Sequence, residues 1–294
     1  MNRTFMAGRG KKINPYQKRR IIITVAVLLV LLTVTVVSHY LRWNADVSFH
    51  FIDVGQGDAA LILTDEAAIV IDAGPVSSGG ELVSYIEKYT DKIDCLVISH
   101  PHEDHMGGAA ELISSLDVAE VLMTVYDSDA AFYSRALDAM SEKNVKITIV
   151  SVGETYTVGD VKMTVLSPSK DYGDKNNNSI VLRAEVDGVS ALFTGDAETI
   201  AEEDILDGYS WQLNSDILKV GHHGSYTSSS EKFLDAVSPE YAVISCGKDN
   251  SYGHPHQTTL NKLKARGVEY YRTDEDSKNG AVIITVKDGE LSVK

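Results

Sequence analysis

Cysteine is scarce in this chain of 294 residues, which contains only Cys95 and Cys246. Each of the two lies within an apolar run of the kind typical of a strand. This scarcity excludes a disulfide-rich scaffold and a zinc site built from cysteine thiolates. We expect both thiols to pack in the core.

Proline and glycine are also limited, with 6 and 22 residues respectively. Hydrophobic residues make up 44% of the chain and charged residues 23%, so collagen-like, low-complexity and wholly disordered classes are excluded. The length suits one α/β domain of roughly 250 residues with an appendage. Gly-x-Ser-x-Gly and phosphate-loop motifs are absent, so serine hydrolysis and P-loop nucleotide binding receive no support.

Acidic residues are absent from the first 20 positions, which carry seven basic side chains. The remaining 274 residues hold 20 basic and 42 acidic side chains, so their net charge is −22. An acidic surface opposes non-specific binding to nucleic acid, because phosphate contacts dominate such affinity. The charge therefore weighs against a DNA-binding function.

Charge of either sign is absent from the apolar stretch that follows the basic tail. Residues 21–41 span roughly 31 Å as a helix, which is close to the thickness of a bilayer's hydrocarbon core. We expect a single-pass transmembrane signal anchor at 21–41, with residues 1–20 in the cytoplasm and residues 46–294 outside the cell. A cleaved secretory signal is the alternative, although its apolar core usually has only about 7–15 residues.

From Asp46 onward, short apolar runs typical of strands alternate with longer stretches of helical periodicity. The pattern predicts an α/β domain over 46–294, with two mixed sheets packed face to face and helices outside. The predicted helical stretches are Glu81–Lys88, Gly108–Leu116, Ala130–Glu142, Ala197–Leu206, Glu231–Val237 and Gln257–Arg266.

Seven of the nine histidines fall within three short motifs. The first motif places His100, His102, Asp104 and His105 where a strand turns into a helix. Imidazole and carboxylate donors at this spacing indicate two divalent metal ions, with zinc and manganese both suitable. The motif ends in two glycines at 107–108, which we expect to let the backbone approach a metal or an anion.

Three further motifs supply candidate donors, and the first two of them follow strands. Asp196 ends an apolar strand after a glycine turn, which on its own is common turn geometry. His222 and His223 form a pair flanked by glycines, and a polar turn is the alternative to a ligand role. His254 and His256 precede the last substantial helix.

Taken in order, these motifs resemble the metallo-β-lactamase hydrolase superfamily. The closer resemblance is to the C-terminal hydrolase domain of the ComEC/Rec2 DNA-uptake (competence) proteins, and it covers roughly Val47 to Val293. It implies an αβ/βα sandwich with two metals between the sheets. The segments that carry it, besides the first histidine motif, are Phe51–Asp58, Asn176–Leu182, Thr194–Glu198, His222–Ser225 and Tyr252–His256.

The resemblance also implies roles for individual residues. His100 and His102 would hold one metal and Asp104 and His105 the other, with Asp196 bridging the two ions. His222 is preferred over His223 as the remaining ligand. Most of the superfamily supplies a further histidine where this chain has Asn176 and Asn177, so the resemblance implies that one metal is weakly held. The expected catalytic groups are Asp104 or Asp58, which would orient the water, and His223 or His254, which would protonate the leaving oxygen. The expected substrate-binding residues are Asn176, Asn177, Ser225, Tyr252 and His256.

The expected activity is hydrolysis by a metal-activated water. A membrane-anchored extracellular phosphodiesterase or nuclease acting on DNA fits the resemblance. The alternative is a surface phosphodiesterase or esterase for a small headgroup such as phosphorylcholine, which tolerates the acidic charge better. A non-catalytic binding module is a third possibility. Four basic residues could form a nucleic-acid patch or a solvated helix face, namely Lys262, Lys264, Arg266 and Arg272.

Overall fold

The computed structural model describes residues 14–43, 47–126, 128–287 and 289–294. The chain divides between residues 45 and 46 into a short N-terminal unit and a large C-terminal unit. The helices are α1 (Pro15–Trp43), α2 (Gly79–Ile86), α3 (Glu103–Met106), α4 (Ala109–Ser115), α5 (Ala131–Glu142), α6 (Thr199–Tyr209), α7 (Glu231–Val237), α8 (Gln257–Ala265) and α9 (Thr273–Asp276).

The N-terminal unit contains the helix α1, which begins at a proline. Proline suits the first helical position because its backbone lacks an N–H that would otherwise be unpaired there. The Asn14 side chain accepts a hydrogen bond from the Tyr16 N–H at 3.0 Å, and the Asn14 N–H donates to Gln17 Oε1 at 3.3 Å. These two bonds form a reciprocal cap at the start of the helix.

Apolar side chains from Ile21 to Leu32 are exposed along α1. Within the part of the chain that the structure describes, no helix reaches the combined length and apolarity needed to cross a bilayer. The side chains of α1 are described as far as Thr33. The anchor at 21–41 stays a prediction.

Two large sheets and one short pair of strands build the C-terminal unit. The strands, in chain order, are β1 (Val47–Ile52), β2 (Ala59–Leu63), β3 (Ala68–Ala73), β4 (Lys92–Ile93), β5 (Cys95–Val97), β6 (Asp117–Val118), β7 (Glu120–Met123), β8 (Lys146–Ile149), β9 (Thr155–Val158), β10 (Val161–Ser167), β11 (Val181–Val186), β12 (Val189–Phe193), β13 (Ile217–Lys219), β14 (Tyr241–Ile244), β15 (Glu269–Arg272), β16 (Ala281–Lys287) and β17 (Glu290–Val293).

Each large sheet has an antiparallel half and a parallel half. The first sheet has the order β17-β16-β1-β2-β3-β5-β7-β8 and becomes parallel from β3 onward. The second has the order β15-β14-β13-β12-β11-β10-β9 and is parallel from β12 to β15. Both sheets are therefore mixed, as the sequence predicts.

The core between the two sheets is built from alternate residues of their strands. In β1, Phe49 and Phe51 face the second sheet, and the Phe51 ring lies 6.0 Å from that of Phe193 in β12. The opposite face of the first sheet packs against α2, α4 and α5. The outer face of the second sheet packs against α6, α7 and α8. Two sheets with helices on both outer faces form the expected sandwich.

The scarce cysteines lie where their apolar surroundings predict. Cys95 is buried between the sheets and Cys246 is buried under the outer helices of the second sheet. Burial raises the pKa of both thiols to about 12. The prediction that they pack in the core is confirmed.

Candidate metal centre

The histidine motifs meet at the carboxyl ends of parallel strands. In the first sheet, Asp72 lies near the end of β3 and His100 follows β5. In the second sheet, Asp196 follows β12 and the histidine pair 222–223 follows β13. Because parallel strands carry their carboxyl ends to one edge, both sheets direct donors into the same place.

Asp196 lies at the middle of the cluster, and its two oxygens face different sets of donors. Around Oδ2, the Nε2 atoms of His100 and His222 each lie 3.8 Å away. His102 joins this set because its Nδ1 is 3.0 Å from His100 Nε2. Three imidazoles therefore gather on one side of the Asp196 carboxylate.

A second set of donors surrounds Asp196 Oδ1. His105 Nε2 lies 3.3 Å from this oxygen and His223 Nε2 lies 3.6 Å from it. Asp104 Oδ2 is 3.3 Å from His223 Nε2. The structure thus places Asp104, His105 and His223 together on the other side of the same carboxylate.

The chemistry of these atoms fits divalent metal ions. His105 Nε2, His223 Nε2 and Asp196 Oδ1 are buried and have no hydrogen-bond partner among the described residues. Buried polar atoms rarely stay unpaired unless an ion or a water is bound there. The ligand atoms of His100, His105 and Asp196 lie within 4.8 Å of one another, and so do those of Asp104, His105 and His223. Imidazole and carboxylate donors suit zinc, manganese or iron.

Two serines and Asp72 orient His100 and His105 of the first histidine motif. Asp72 Oδ2 accepts a hydrogen bond from His105 Nδ1 at 2.8 Å and one from the Ser99 hydroxyl at 2.6 Å. His100 Nδ1 lies 3.2 Å from the Ser179 hydroxyl. These contacts turn the Nε2 atoms of both rings toward Asp196. Sequence reasoning missed Asp72, although a carboxylate at the end of an apolar strand is a signal that could have found it.

Asp58 lies behind the imidazole rings and is paired with a buried lysine. Its Oδ2 is 2.6 Å from Lys219 Nζ, and its carboxylate approaches the Nδ1 atoms of His105 and His223 at 3.8 and 3.6 Å. Lys219 is only 4% exposed. Asp58 thus faces the Nδ1 atoms of these rings, while their Nε2 atoms face Asp196, and its own Oδ1 has no hydrogen-bond partner among the described residues. Its expected role in orienting a water stays a prediction. A single lysine, Lys219, in the apolar strand before the histidine pair is the feature of the sequence that could have indicated this ion pair.

The histidine pair adopts a left-handed backbone. His222 and His223 have φ values of 48° and 53°, a region that costs a non-glycine residue about 1–3 kcal/mol. This conformation directs both rings toward Asp196. His222 Nδ1 lies 3.1 Å from Glu198 Oε1, and His223 Nδ1 donates to the Ser245 carbonyl at 3.0 Å.

Both histidines of the pair face Asp196, so the expected preference for His222 over His223 stays a prediction. His223 faces both Asp104 and Asp196, which suits a ligand better than the proton donor that we expected. His222 reaches the opposite oxygen of Asp196 and gathers with His100 and His102. Two consecutive residues with left-handed backbone conformation produce this arrangement. The sequence motif alone does not indicate that conformation.

Charges within the cluster shift its pKa values strongly. Burial opposes the charged form of His105 and His223, but the carboxylates of Asp196, Asp72 and Asp58 outweigh it. They hold the pKa of His105 well above its usual value and raise the pKa of His223 to about 10. The same contacts hold the pKa of Asp196 well below its usual range despite burial. Burial and the neighbouring His105 hold the pKa of His100 well below its ordinary value.

His254 differs from the expected general acid. Burial, followed by the charges of His223 and His222, lowers the pKa of His254 to about 4. Its ring is therefore neutral near pH 7 in the metal-free protein, with one N–H, and it is not the imidazolium expected of a general acid. Its Nδ1 is buried without a hydrogen-bond partner in the described chain.

Two of the expected substrate-binding residues, Asn177 and Ser225, make hydrogen bonds within the loops. Asn177 donates to Asp174 at 2.9 Å and accepts from the Glu198 N–H at 3.1 Å. The buried Ser225 hydroxyl lies 2.9 Å from that of Thr227. Asn176 keeps one buried amide oxygen without a hydrogen-bond partner among the described residues. The polar atoms of Asn177 and Ser225 are thus engaged within the protein, and the role of all three residues in substrate binding stays a prediction.

Tyr252 and His256 lie at the rim of the cluster. The exposed Tyr252 ring stacks on the ring of His254 with centroids 5.6 Å apart. His256 Nδ1 accepts a hydrogen bond from the Tyr226 N–H at 3.1 Å. These two expected residues remain open to solvent beside the donors.

The two glycines after the first motif serve the packing of the chain. A Cβ on Gly108 would lie 2.3 Å from the Ala73 carbonyl oxygen, and one on Gly107 would lie 2.4 Å from the Val76 nitrogen. Both glycines therefore allow the 73–76 backbone to pass close by. The expectation that they also admit a metal or an anion stays a prediction.

The basic side chains near the last motif contact other groups of the same chain. Lys262 donates to the Ser229 carbonyl at 3.0 Å, and Arg266 donates to Asp235 at 2.8 Å. Arg272 pairs with Asp274 at 2.7 Å, and Lys264 lies 5.8 Å from the centre of the Tyr270 ring. This supports a structural role rather than a phosphate-binding patch.

A sandwich of two mixed sheets with imidazole and carboxylate donors at one edge defines a class of metal-dependent hydrolases. The chain belongs to this class as a member of the metallo-beta-lactamase superfamily, whose family model matches residues 52–248.

Relatives with curated names include two long proteins and one of similar size. ComE operon protein 3 of Bacillus subtilis (strain 168) is 32% identical over 76% of this chain and 31% of its own length. Competence protein ComA of Neisseria gonorrhoeae is 34% identical over 76% of this chain and 30% of its own length. This chain thus spans about a third of those two relatives. Exodeoxyribonuclease WalJ of Streptococcus pneumoniae serotype 2 (strain D39) is 24% identical over 76% of this chain and 92% of its own length.

A solved structure shares the fold. The metallo-beta-lactamase fold protein YhfI from Bacillus subtilis superposes with a TM-score of 0.56 and 12% sequence identity. The match covers 82% of this chain and 99% of that protein. At this identity, the likeness concerns the fold alone.

Proposed function

We propose that this protein is a phosphodiesterase that hydrolyses nucleic acid at a centre of two divalent metal ions. The observation that carries the proposal is the division of donors around Asp196, whose Oδ1 and Oδ2 face separate sets. A bridging carboxylate with donors on both sides suits two closely spaced ions. Two such ions clamp the attacking and leaving oxygens in phosphodiester hydrolysis.

His100, His102, His222 and Asp196 would hold one ion. Asp104, His105, His223 and Asp196 would hold the other. When bound, such ions lower the pKa of a water and so supply the nucleophile at neutral pH. The chain's own contribution is to orient the donors, through Asp72 on His105 and through Ser179 on His100.

A lysine beside the donors supports an anionic substrate. Lys175 is half-buried, and no ion pair of the described residues involves it. Burial lowers the pKa of His102, and the Lys175 ammonium adds to that effect, so the two groups are close. Lys175 lines a groove of about 630 Å³ together with Tyr126 and Asn178.

The relatives add support for nucleic acid. WalJ carries the name of an exodeoxyribonuclease and aligns over 92% of its length. ComA carries the name of a competence protein. A nuclease related to DNA uptake is consistent with both names.

We further propose that the protein is membrane-anchored, with residues 46–294 on the outer side of the membrane. The uncharged stretch 21–41 and the seven basic residues before it support this topology. The full chain is expected to stay in the membrane pellet after carbonate extraction and to enter solution with detergent. Release by carbonate alone would contradict the anchor.

The experiment for the activity uses the full chain purified in mild detergent and loaded with Mn²⁺ or Zn²⁺. We expect cleavage of single-stranded DNA, with loss of cleavage in Asp104→Ala. Glu103→Gln is the matched control, because this neighbouring carboxylate faces the Val76 N–H at 2.8 Å rather than the centre. Cleavage of DNA by Asp104→Ala would reveal a contaminating nuclease.

The second candidate function is hydrolysis of a small headgroup diester such as phosphorylcholine. The net charge of −22 over residues 21–294 favours it, since that charge repels polyanions. Turnover of bis(p-nitrophenyl) phosphate without turnover of DNA would support this candidate and contradict the nuclease.

A further inference from the structure

Four aromatic side chains form a continuous row at the rim of the centre. Tyr252 stacks on His254 with centroids 5.6 Å apart and an angle of 21° between the rings. His254 meets His256 at 4.9 Å, and His256 meets Tyr226 at 5.0 Å. We call Tyr252, His254, His256 and Tyr226 the ring row.

The ring row is in direct contact with the donors. The His254 ring lies 5.5 Å from that of His222 and 6.1 Å from that of His223. Any molecule bound along the row therefore has its neighbouring groups beside Asp196. The row and the donor cluster form one continuous surface.

The two tyrosines at the ends of the row are largely open to solvent. Tyr252 is 65% exposed and Tyr226 is 64% exposed. His254, between them and the donors, is only 8% exposed. These two exposed tyrosine rings contribute little to the free energy of folding, because most of their surface stays in water. Their free faces are available to a ligand.

The charge of the protein determines which ligand contacts are favourable. A body with a net charge of −22 gains little from phosphate contacts on its own surface. Base stacking on an aromatic ring requires no positive charge, and every nucleobase has a suitable face. A stacking surface therefore provides affinity where electrostatic attraction is weak.

We propose that the ring row is a stacking platform for unpaired bases of single-stranded nucleic acid, next to the scissile phosphate. This inference rests on the proposed function and deepens it, since it specifies a single strand as substrate. Paired bases are already stacked on their neighbours, so a duplex offers the row no free face.

The arrangement favours a base over a quaternary ammonium group. A choline headgroup is held by several ring faces that converge in a cage. Here the ring contacts run in single file, and the two tyrosines make no ring contact with each other within the described chain. Tyr252 and His254 are stacked, whereas the contacts of His256 with His254 and with Tyr226 are edge-to-face, at 77° and 63° between the rings. The exposed faces of Tyr252 and Tyr226 therefore offer separate sites for unpaired bases.

The test compares two strands of equal length and phosphate number, one with normal bases and one wholly abasic. The full chain in detergent with Mn²⁺ is expected to show a higher kcat/KM on the normal strand. Tyr252→Ala should lower this preference roughly 5- to 100-fold, in line with the loss of one stacked base. Tyr252→Phe keeps the ring face and should keep the preference within about threefold.

Trp211→Ala is the matched control, because Trp211 is 72% exposed and its ring contacts Tyr209 rather than the ring row. It is expected to leave the preference for bases unchanged. An equal preference in Tyr252→Ala and in the unaltered protein would overturn the inference. So would a loss in Tyr252→Ala of p-nitrophenylphosphorylcholine turnover alone, since that assigns the row to a choline headgroup.

A binding measurement separates this inference from the proposed function. Asp104→Ala protein is mixed with a strand that carries 2-aminopurine, whose fluorescence is quenched when it stacks. Quenching that disappears in Asp104→Ala/Tyr252→Ala supports the platform even if no strand is cleaved. Cleavage of both strands at equal rates without quenching would leave the nuclease intact and exclude the platform.

Discussion

At the scale of single residues, Asp72 controls how the first sheet presents its donors. Its carboxylate accepts hydrogen bonds from the Ser99 N–H, the Ser99 hydroxyl and His105 Nδ1. Its own φ of 60° lies in the left-handed region. A residue held there by three bonds fixes the ring of His105 before any ion arrives, and such preorganisation raises metal affinity.

Asp72→Asn is expected to lower metal affinity about 10- to 100-fold, because the amide cannot accept the His105 N–H as strongly as the carboxylate. Isothermal titration of the chelated protein with Zn²⁺ measures the change. Asp187→Asn serves as the control, since Asp187 also has a left-handed φ of 51° but lies in an exposed turn. Equal affinities for Asp72→Asn and the unaltered protein would contradict the role.

The titration of His105 and His223 predicts how pH affects the metal-free protein. Both groups have pKa values above the ordinary 6.5, and the pKa of His223 is about 10. Because the folded protein binds these two protons more tightly than the unfolded chain does, they stabilise the fold fully below pH 6.5. This stabilisation is lost as the pH rises toward about 10. The free energy of unfolding of the chelated protein should therefore fall between pH 7 and pH 9.5.

Urea denaturation in EDTA across this range measures the slope. His223→Gln should flatten the slope, because it removes the titrating group. His50→Gln should keep it, since burial lowers the pKa of His50 to about 4 and places its titration outside the range. A slope of zero in the unaltered protein would refute the prediction.

At the scale of elements, the strand β13 ends in a buried charged residue, Lys219. Lys219 at its end pairs with Asp58 and donates to the Val220 carbonyl at 2.8 Å. The ion pair therefore joins the loop between β1 and β2, which contains Asp58, to the end of β13, which leads into the histidine pair. A buried charge whose partner is removed is costly, about 3–5 kcal/mol.

Lys219→Met is therefore expected to lower the free energy of unfolding by about 3–5 kcal/mol in urea denaturation. Lys219→Met/Asp58→Asn should recover part of this loss, because no uncompensated charge remains. Lys162→Met is the control, since Lys162 is an exposed lysine paired with Glu185 at 3.3 Å. A double variant less stable than Lys219→Met would contradict the pairing.

The sequence predicts long elements well and short ones poorly. All six helical stretches expected from periodicity are present, and so is the pair of mixed sheets. The helices α3 and α9, of four residues each, and the edge strand β9 were not expected. Four residues hold too little periodicity to signal an element, so contacts with the rest of the fold determine them.

Part of the candidate site could also be predicted from the sequence, and part could not. The donors are visible in the sequence, because their chemistry and spacing are explicit in the motifs. Asp72 and Lys219 act through other residues, and the two rings of the histidine pair are directed by backbone conformation. Such contacts join distant segments, so spacing along the chain does not reveal them.

At the scale of the whole molecule, the net charge shapes the response to salt. Proteins that hold DNA through 6–10 phosphate contacts lose about 10³- to 10⁵-fold in affinity between 50 and 200 mM salt. A body with a net charge of −22 makes few such contacts. We therefore expect KM for single-stranded DNA to change less than about tenfold over this range.

Steady-state kinetics at fixed Mn²⁺ and varied NaCl measure this dependence. A steep rise of KM with salt would show that phosphate contacts dominate and would contradict the prediction. The abasic strand provides the internal comparison, because it retains every phosphate and lacks the bases.

The donors of the centre come from both layers of the sandwich. His100 and His105 follow a strand of the first sheet, and Asp196 and His223 follow strands of the second. Neither layer holds a complete set, so bound ions would join the two sheets at this edge, in addition to the apolar interface and the ion pair between Asp58 and Lys219. A copy that fails to acquire metal would open more readily and be degraded sooner. The supply of metal would then set the lifetime of the protein as well as its turnover.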